Sequence, residues 1–339
     1  MINLLPNQFE RLACAAEILR TGGLVAFPTE TVYGLGAICT NEQALLKIFA
    51  AKGRPGDNPL IVHIWHETQL KELVTEINPK AASLISEFWP GPLTLIFPKL
   101  AQVSQVVTAG LETVAVRMPR HPIAQELLRL TGIPVAAPSA NLSGRPSPTR
   151  GSHVVDDLFG KVNLIIEAGY CEAGIESTVL SLASEQPVIL RPGSVTKEMI
   201  EAVLGETVAL AEADAERPQA PGMKYQHYAP QAPAVLFEGS QAAVVKEINR
   251  LLIKQAPSKK IVVMASTENL KAYHHEWVLD LGHQTIPEEA GVRLYDLLRF
   301  CDQLAAEQIY IEGVAAVGVG LAVANRLRKA VGGNVVKVD

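Results

Sequence analysis

Short apolar runs alternating with helical patterning are what most constrain this chain, because few folds bury both kinds of element at once. Over residues 1–205, runs that read as buried strands recur at Leu24–Phe27, Leu60–Ile64, Leu93–Phe97, Val114–Met118, Leu164–Glu167, Thr178–Leu182 and Val188–Leu190. Helical periods separate several of them. Asn41 is a good N-cap for a helix carrying Ala44, Leu45, Ile48 and Phe49. Asn78-Pro79 supplies a cap and a first-turn proline ahead of Leu84, Ile85 and Phe88. A third helix is expected from Pro122, with Ile123, Leu127 and Leu128 on its apolar face. Residues 1–205 therefore read as one α/β domain.

The pattern breaks between Gly205 and Pro233, where Pro218, Pro221, Gly222, Pro230 and Pro233 fall without a sustained apolar period. A connection of this length is uncommon inside a compact domain and is either functional or disordered. Beyond it, strand-like runs at Ala234–Phe237, Lys260–Met264, Trp277–Leu279 and Gln308–Ile311 alternate with helical segments, the clearest running from Pro287 through Val292, Tyr295, Leu298 and Leu304. Such alternation implies parallel strands joined by crossover helices, a smaller Rossmann-like unit over 234–339.

Composition narrows the functional classes. The 339 residues are 48% hydrophobic and 19% charged, which suits folded domains rather than disorder. Met1 to Arg20 has no basic start followed by an apolar core, and no run approaches about 18 apolar residues, so neither a signal peptide nor a membrane span is expected. Cys14, Cys39, Cys171 and Cys301 are far apart and form no Cys-x-x-Cys pair, as suits a reducing cytoplasm. His63 with His66, and His274 with His275, lack carboxylate or thiol partners at ligand spacing, so no metal site is expected from protein side chains. The net charge of −5 gives no overall attraction for nucleic acid, although a local basic patch could supply one.

Several nucleotide and hydrolase signatures are missing: the sequence has no G-x-x-x-x-G-K-[ST], no G-x-S-x-G and no H-E-x-x-H. Ser194 to Lys197 matches S-x-x-K without its companion motifs. Gly318-Val-Gly320 lacks the third glycine of a dinucleotide fingerprint and reads better as packing at a helix start. What remains is a set of loops rich in hydroxyl, amide and guanidinium groups. Pro28 to Gly36 offers Thr29 and Thr31, with Gly34 and Gly36 allowing close backbone approach, though a threonine-rich turn would look the same. Lys52-Gly-Arg54 can clamp phosphate with a point charge and a planar fork, while basic residues at a helix end also offset its dipole. Arg117, the segment Pro138 to Pro148, Glu176-Ser177-Thr178 and Leu190-Arg191-Pro192-Gly193 complete the group. Together Lys52, Arg54, Arg117, Arg145 and Arg191 beside hydroxyl-rich turns describe a pocket for a polyanion.

The segments PTETVYGLG, KGRPGDNPL, FWPGPLT, VAVRMP, PVAAPSANLSG, ESTV and LRPG together resemble the YrdC-like threonylcarbamoyl-AMP synthase family, over about Gly22 to Thr196. Lys52-x-Arg54 paired with Ser139-x-Asn141 is among the most specific of these features. The stretch Ala220 to Pro230, followed by a second domain, is similar to the longer two-domain members, which often carry serine where this chain has Ala220. The resemblance implies a fold: a twisted mixed sheet with helices in a large N-terminal domain (1–205), a linker acting as an active-site lid (206–233) and a Rossmann-like C-terminal domain (234–339). It also implies a reaction, in which L-threonine, bicarbonate or CO2 and ATP, with Mg2+ held mainly by phosphates, give threonylcarbamoyl-AMP and pyrophosphate. That product would pass to a transferase complex modifying tRNA. By position in the motifs, Lys52 and Arg54 would be catalytic. Lys52, Arg54, Asn58, Thr113, Ser139, Ser147 and Arg191 would bind ATP, with Tyr225 or His227 of the lid. Thr31, His63, Arg117, Ala137 (through its backbone) and Ser177 would hold threonine, and Tyr33 would line the pocket. The alternatives are a non-catalytic protein of ribosome assembly or double-stranded RNA binding, and a carbamoyl-adenylate handler of hydrogenase maturation. The missing acylphosphatase and zinc-finger segments argue against the latter.

Overall fold

Local capping chemistry sets the helix starts. Asn41 Oδ1 accepts from the Ala44 amide at 3.0 Å at the start of α2 (Glu42–Lys52), and Asn78 Oδ1 from the Ala81 amide at 2.8 Å at the start of α3 (Pro79–Phe88). The computed structural model describes residues 2–3, 11–211, 228–255 and 258–339. The chain divides into two units, Met1–Ser143 with Ser147–Tyr225, and Gly144–Pro146 with Gln226–Asp339.

The first unit contains strands β1 (Ile2–Asn3), β2 (Val25–Phe27), β3 (Gly34–Ile38), β4 (Ile61–His63), β5 (Leu93–Pro98), β6 (Thr113–Arg117), β7 (Val135–Ala136), β8 (Leu164–Glu167), β9 (Thr178–Ser181), β10 (Val188–Arg191) and β11 (Ala209–Leu210). Its other helices are α1 (Leu12–Arg20), α4 (Gln105–Thr108), α5 (Pro122–Thr131), α6 (Gly151–Leu158) and α7 (Lys197–Leu204). The strands form one mixed sheet in the order β1-β8-β2-β3-β7-β4-β6-β5-β9-β10-β11. Alternation along each strand divides the sheet into two faces. Val62, Val116, Leu95 and Leu180 point to one face, where they share a core with Leu45 and Ile48 of α2 and Leu84 and Ile85 of α3. On the other face, α1 and α5 pack through Leu12, Leu19, Ile123 and Leu127 against Phe27, Ile38 and Val135 of β2, β3 and β7. That second face, continued across β4, β6 and β5, carries the polar residues described below.

Four strands of this unit, β1, β3, β7 and β11, fall outside the expected runs, and β3 and β11 change the reading. The segment read as a ligand loop, Pro28 to Gly36, ends inside the sheet: β3 pairs antiparallel with β2, Phe27 opposite Gly34, and with β7, Ala37 opposite Ala136. Gly36 thus serves packing, since a Cβ there would lie 2.8 Å from both Phe27 and Val135. The first unit's sheet also continues past Gly205, because β11 pairs with β10 and Val208 is buried in the core.

The second unit is a parallel sheet of β12 (Ala234–Gly239), β13 (Ile261–Ser266), β14 (Val278–Gly282), β15 (Gln308–Glu312) and β16 (Val335–Val338), in the order β14-β13-β15-β12-β16. Its helices are α8 (Gln241–Lys254), α9 (Pro287–Gln303) and α10 (Val319–Ala330). Gly318 caps α10 at φ +57°, and a Cβ on Gly320 would strike the Ala315 carbonyl, so both glycines are explained by the helix start.

Candidate functional site

Strand register assembles the centre of the site. His63 of β4 lies opposite Arg117 of β6, and Arg117 opposite Thr94 of β5, which puts the three side chains in one row on the second face. The row continues by hydrogen bonds. Thr94 Oγ1 is 2.7 Å from Ser177 Oγ, just before β9, and Arg191 donates from Nη2 to Ser177 Oγ and from Nε to the Ser177 carbonyl, both at 3.1 Å. At the other end Arg117 Nη1 donates to Thr31 Oγ1 at 2.8 Å, and its Nε to the Gly91 carbonyl at 3.3 Å. Four expected threonine contacts, Thr31, His63, Arg117 and Ser177, therefore come together with Arg191.

The hydroxyl protons at the Thr31 end of this row follow from their partners. Thr29 has one hydroxyl hydrogen, which goes to the Val32 carbonyl at 2.6 Å. Across the 2.8 Å contact between the two hydroxyls, Thr31 must then be the donor. It accepts from Arg117, so only a lone pair of Thr31 is left for a ligand. Burial, and after it the Arg117 charge, pushes His63 down to about 3, which keeps the ring neutral at pH 7. Burial also pushes the Cys171 thiol up, so no thiolate stands nearby as a nucleophile.

A second cluster surrounds the end of α2. Lys52 Nζ donates to the carbonyls of Ser139 and Asn141, the latter at 2.5 Å, and the Ser143 amide donates back to the Lys52 carbonyl at 2.9 Å. The Ser139 hydroxyl donates to Asn141 Oδ1 at 2.5 Å. Arg54 Nη2 bridges the carbonyls of Asn58 and Pro59 at 3.0 and 3.1 Å, and Asn58 Oδ1 is buried without a hydrogen-bond partner among the described residues. Ser139 lies in a bridge with Gly34, and the Ala137 amide is spent on the Ile61 carbonyl at 2.9 Å. Ser147 joins the first row through Glu176, whose Oε1 accepts from its hydroxyl at 2.6 Å beside Ser177.

Two expected residues stand apart. Thr113 begins β6, on the same face as Arg117 but roughly 13 Å along the strand. Between them lies an apolar strip of Ile61, Ala115, Ile96 and Val179. Beside Thr113 is a cavity of about 160 Å³ lined by Ile96, Phe97, Glu76 and Leu182. Tyr33 is fully enclosed, and its hydroxyl donates to the Gly169 carbonyl at 2.8 Å, so it braces the turn after β8. Tyr225 and His227 lie outside the described residues.

Sequence reasoning passed over Glu30, Thr94 and Glu176 as site residues. Glu30, Thr94 and Glu176 all stand inside the quoted PTETVYGLG, FWPGPLT and ESTV segments, yet only strand register shows that Thr94 faces Arg117. Glu30 Oε1 lies 2.7 Å from Arg117 Nη2, both side chains being almost wholly buried. Among the described residues no group of three or more His, Cys, Asp or Glu side chains could hold a metal ion.

Residues 17–193 match the Sua5_yciO_yrdC family model, described as "Telomere recombination", and residues 195–332 match the C-terminal domain model of threonylcarbamoyl-AMP synthase. The chain is 48% identical over 331 residues to the threonylcarbamoyl-AMP synthase of Bacillus subtilis, covering 96% of this chain and 94% of that one. The chain belongs to the threonylcarbamoyl-AMP synthase family. The synthase of Schizosaccharomyces pombe is 41% identical over 93% of this chain and 87% of its own length. Among solved structures, Pyrococcus abyssi Sua5 complexed with L-threonine superimposes with a TM-score of 0.95 at 46% identity, covering 100% of this chain and 99% of that one. This family's two-domain form accounts for both the mixed sheet and the parallel sheet.

Proposed function

We propose that the chain condenses L-threonine, bicarbonate or CO2 and ATP into threonylcarbamoyl-AMP and pyrophosphate, as a nucleotidyltransferase serving tRNA modification. The observation that carries this reading is the continuous row Thr31–Arg117–Thr94–Ser177–Arg191 with the Lys52 cluster close in the same motif set. The amino acid's carboxylate is received by Arg117, and its donor groups by the remaining lone pair of Thr31 and by neutral His63. The threonine amine bonds to the carbon of CO2, which bicarbonate supplies with loss of water, and gives up a proton to form the carbamate. The carbamate oxygen then attacks the α-phosphorus and pyrophosphate leaves, which makes the C–O–P anhydride. Lys52, Arg54 and Arg191 offset the charge gathered on the phosphates, with Asn58, Ser139 and Ser147 as hydrogen-bonding groups, and no covalent nucleophile is needed. The apolar strip toward Thr113 suits the flat adenine. Glu30 is committed to Arg117 and Glu176 to Ser147, so the described site offers no carboxylate cage. A Mg2+ ion accompanying ATP would be held mainly by phosphate oxygens, where it would neutralise their charge. Cytoplasmic residence, release of the product to a tRNA-modifying transferase, and a lid formed by the linker beyond β11, shorter than the expected 206–233, belong to the same reading. A purely RNA-binding role has no use for a neutral histidine, an arginine and paired hydroxyls gathered in one row.

The test is release of pyrophosphate from ATP by the purified chain. It should depend on both threonine and bicarbonate, and valine should not replace threonine, because a buried site built for a hydroxyl is left unpaired without one. Release that ignores threonine, or its complete absence, overturns the reading.

A further inference from the structure

Glu30 sits one residue before Thr31 with 2% of its surface exposed. Its Oε1 lies 2.7 Å from Arg117 Nη2, yet neither carboxylate oxygen, nor Nη2, has a hydrogen bond of proper alignment among the described residues. The directed bonds of Arg117 go elsewhere, to Thr31 and Gly91. The contact is therefore charge against charge, without the directional bonds that would make it rigid. His121, which also feels the Glu30 charge, is held by burial below its ordinary range and does not supply a second cation.

We propose that Glu30 is a built-in counter-ion for Arg117, which keeps the buried guanidinium in place in the empty enzyme and weakens its pull on the carboxylate of the incoming amino acid. The proposal rests on the reading of Arg117 as the carboxylate anchor. Its physical content is a pair of opposed effects. A buried cation stripped of its partner is costly, so losing the Glu30 charge destabilises the empty protein. The same loss leaves the full field of Arg117 for a ligand carboxylate, so affinity for that group rises. A side chain that merely supports the fold would lower both. In the working enzyme this arrangement favours release, since the amino acid loses its ammonium charge on carbamoylation and its carboxylate would otherwise be held more tightly by an unopposed Arg117.

The experiment is thermal-shift titration of the full chain and its Glu30→Gln variant with L-threonine and with L-threoninol, which has a hydroxymethyl group in place of the carboxylate. The variant should melt lower when empty. Its Kd for threonine should fall about tenfold, while its Kd for the cationic threoninol stays unchanged or rises. Glu30→Asp, which retains the charge, should keep the threonine-to-threoninol preference of the unaltered chain. If Glu30→Gln is unfolded when empty, threonine should restore its melting transition and threoninol should not. A preference that is unchanged in Glu30→Gln, one raised equally in Glu30→Asp, or failure of threonine to restore an unfolded Glu30→Gln overturns the inference. Absence of threonine binding by the unaltered chain instead overturns the proposed function, and the inference with it.

Discussion

Thr31 presents a ligand with a lone pair and no proton, because its hydrogen is committed to Thr29 and Arg117 donates to it. Replacing it by valine leaves Arg117 Nη1 without that acceptor and removes the ligand's acceptor as well. Thr31→Val should therefore weaken threonine use by about 1–3 kcal/mol, read as a raised KM in pyrophosphate release, whereas Thr31→Ser should stay near the unaltered value. An unchanged KM in the valine variant would show that the ligand does not donate to Thr31. His63 gives a stability prediction. Its ring takes a proton near 6.5 when exposed but only at about 3 when folded, with burial the larger cause and the Arg117 charge the second. The unfolded chain therefore binds more protons between those values. The contribution of the neutral ring is complete above about pH 6.5 and is lost as pH falls toward 3, by at most about 1.4 kcal/mol per pH unit. Melting curves of the chain and of His63→Gln should accordingly converge, or cross, between pH 7 and pH 4. A constant gap would show that His63 titrates normally in the folded state.

At the scale of elements, the motif Pro28 to Gly36 joins two jobs that sequence could not separate. Its first half turns Thr29 and Thr31 toward Arg117, and its second half is β3, a strand without the β-branched run that would announce one. The glycines were read as ligand approach, yet Gly36 makes room for Phe27 and Val135. Gly36→Ala should thus cost about 1–3 kcal/mol in denaturant unfolding while the folded protein keeps its KM for threonine. A normal stability with a raised KM would restore the ligand reading. Helix starts were legible because asparagine and proline act locally at Asn41, Asn78 and Pro122. The row across β4, β6 and β5 was legible only in its motif residues. Thr94 and Glu30 acquire their meaning from register and from a contact 87 residues away in sequence for Glu30 and Arg117 (117 − 30), which no local pattern encodes.

At the scale of the whole molecule, the two alternating α/β regions were readable because each buries its own apolar runs, and the break between them because prolines interrupt any period. The end of the first region was harder to place. Val208 opens an apolar run of only four residues, Val208 to Ala211, too short to announce a strand, yet Val208 is buried beside the edge strand β11, so the sheet closes at Leu210 and not at Gly205. This refines the test of the linker as a lid. Carbamates and acyl-phosphate anhydrides decompose in water, so the site needs a cover during reaction, and the proposed one is the proline-rich stretch holding Met223, Tyr225 and His227. A plain tether would serve equally to join two domains, and the alternatives differ in what truncation does. A chain ending at Ala211 retains β11 and the buried Val208, so it should fold with the first unit's own core. If the linker is a lid, that chain should lose most of its pyrophosphate release at saturating threonine, bicarbonate and ATP, about tenfold or more. A chain ending at Pro233 should regain much of it without the second sheet. Far-ultraviolet circular dichroism and melting curves on both would establish that they are equally folded. Equal activity of the two would make the linker a tether and leave closure of the site to the first unit itself. Activity restored only in the full chain would move the requirement to the C-terminal region.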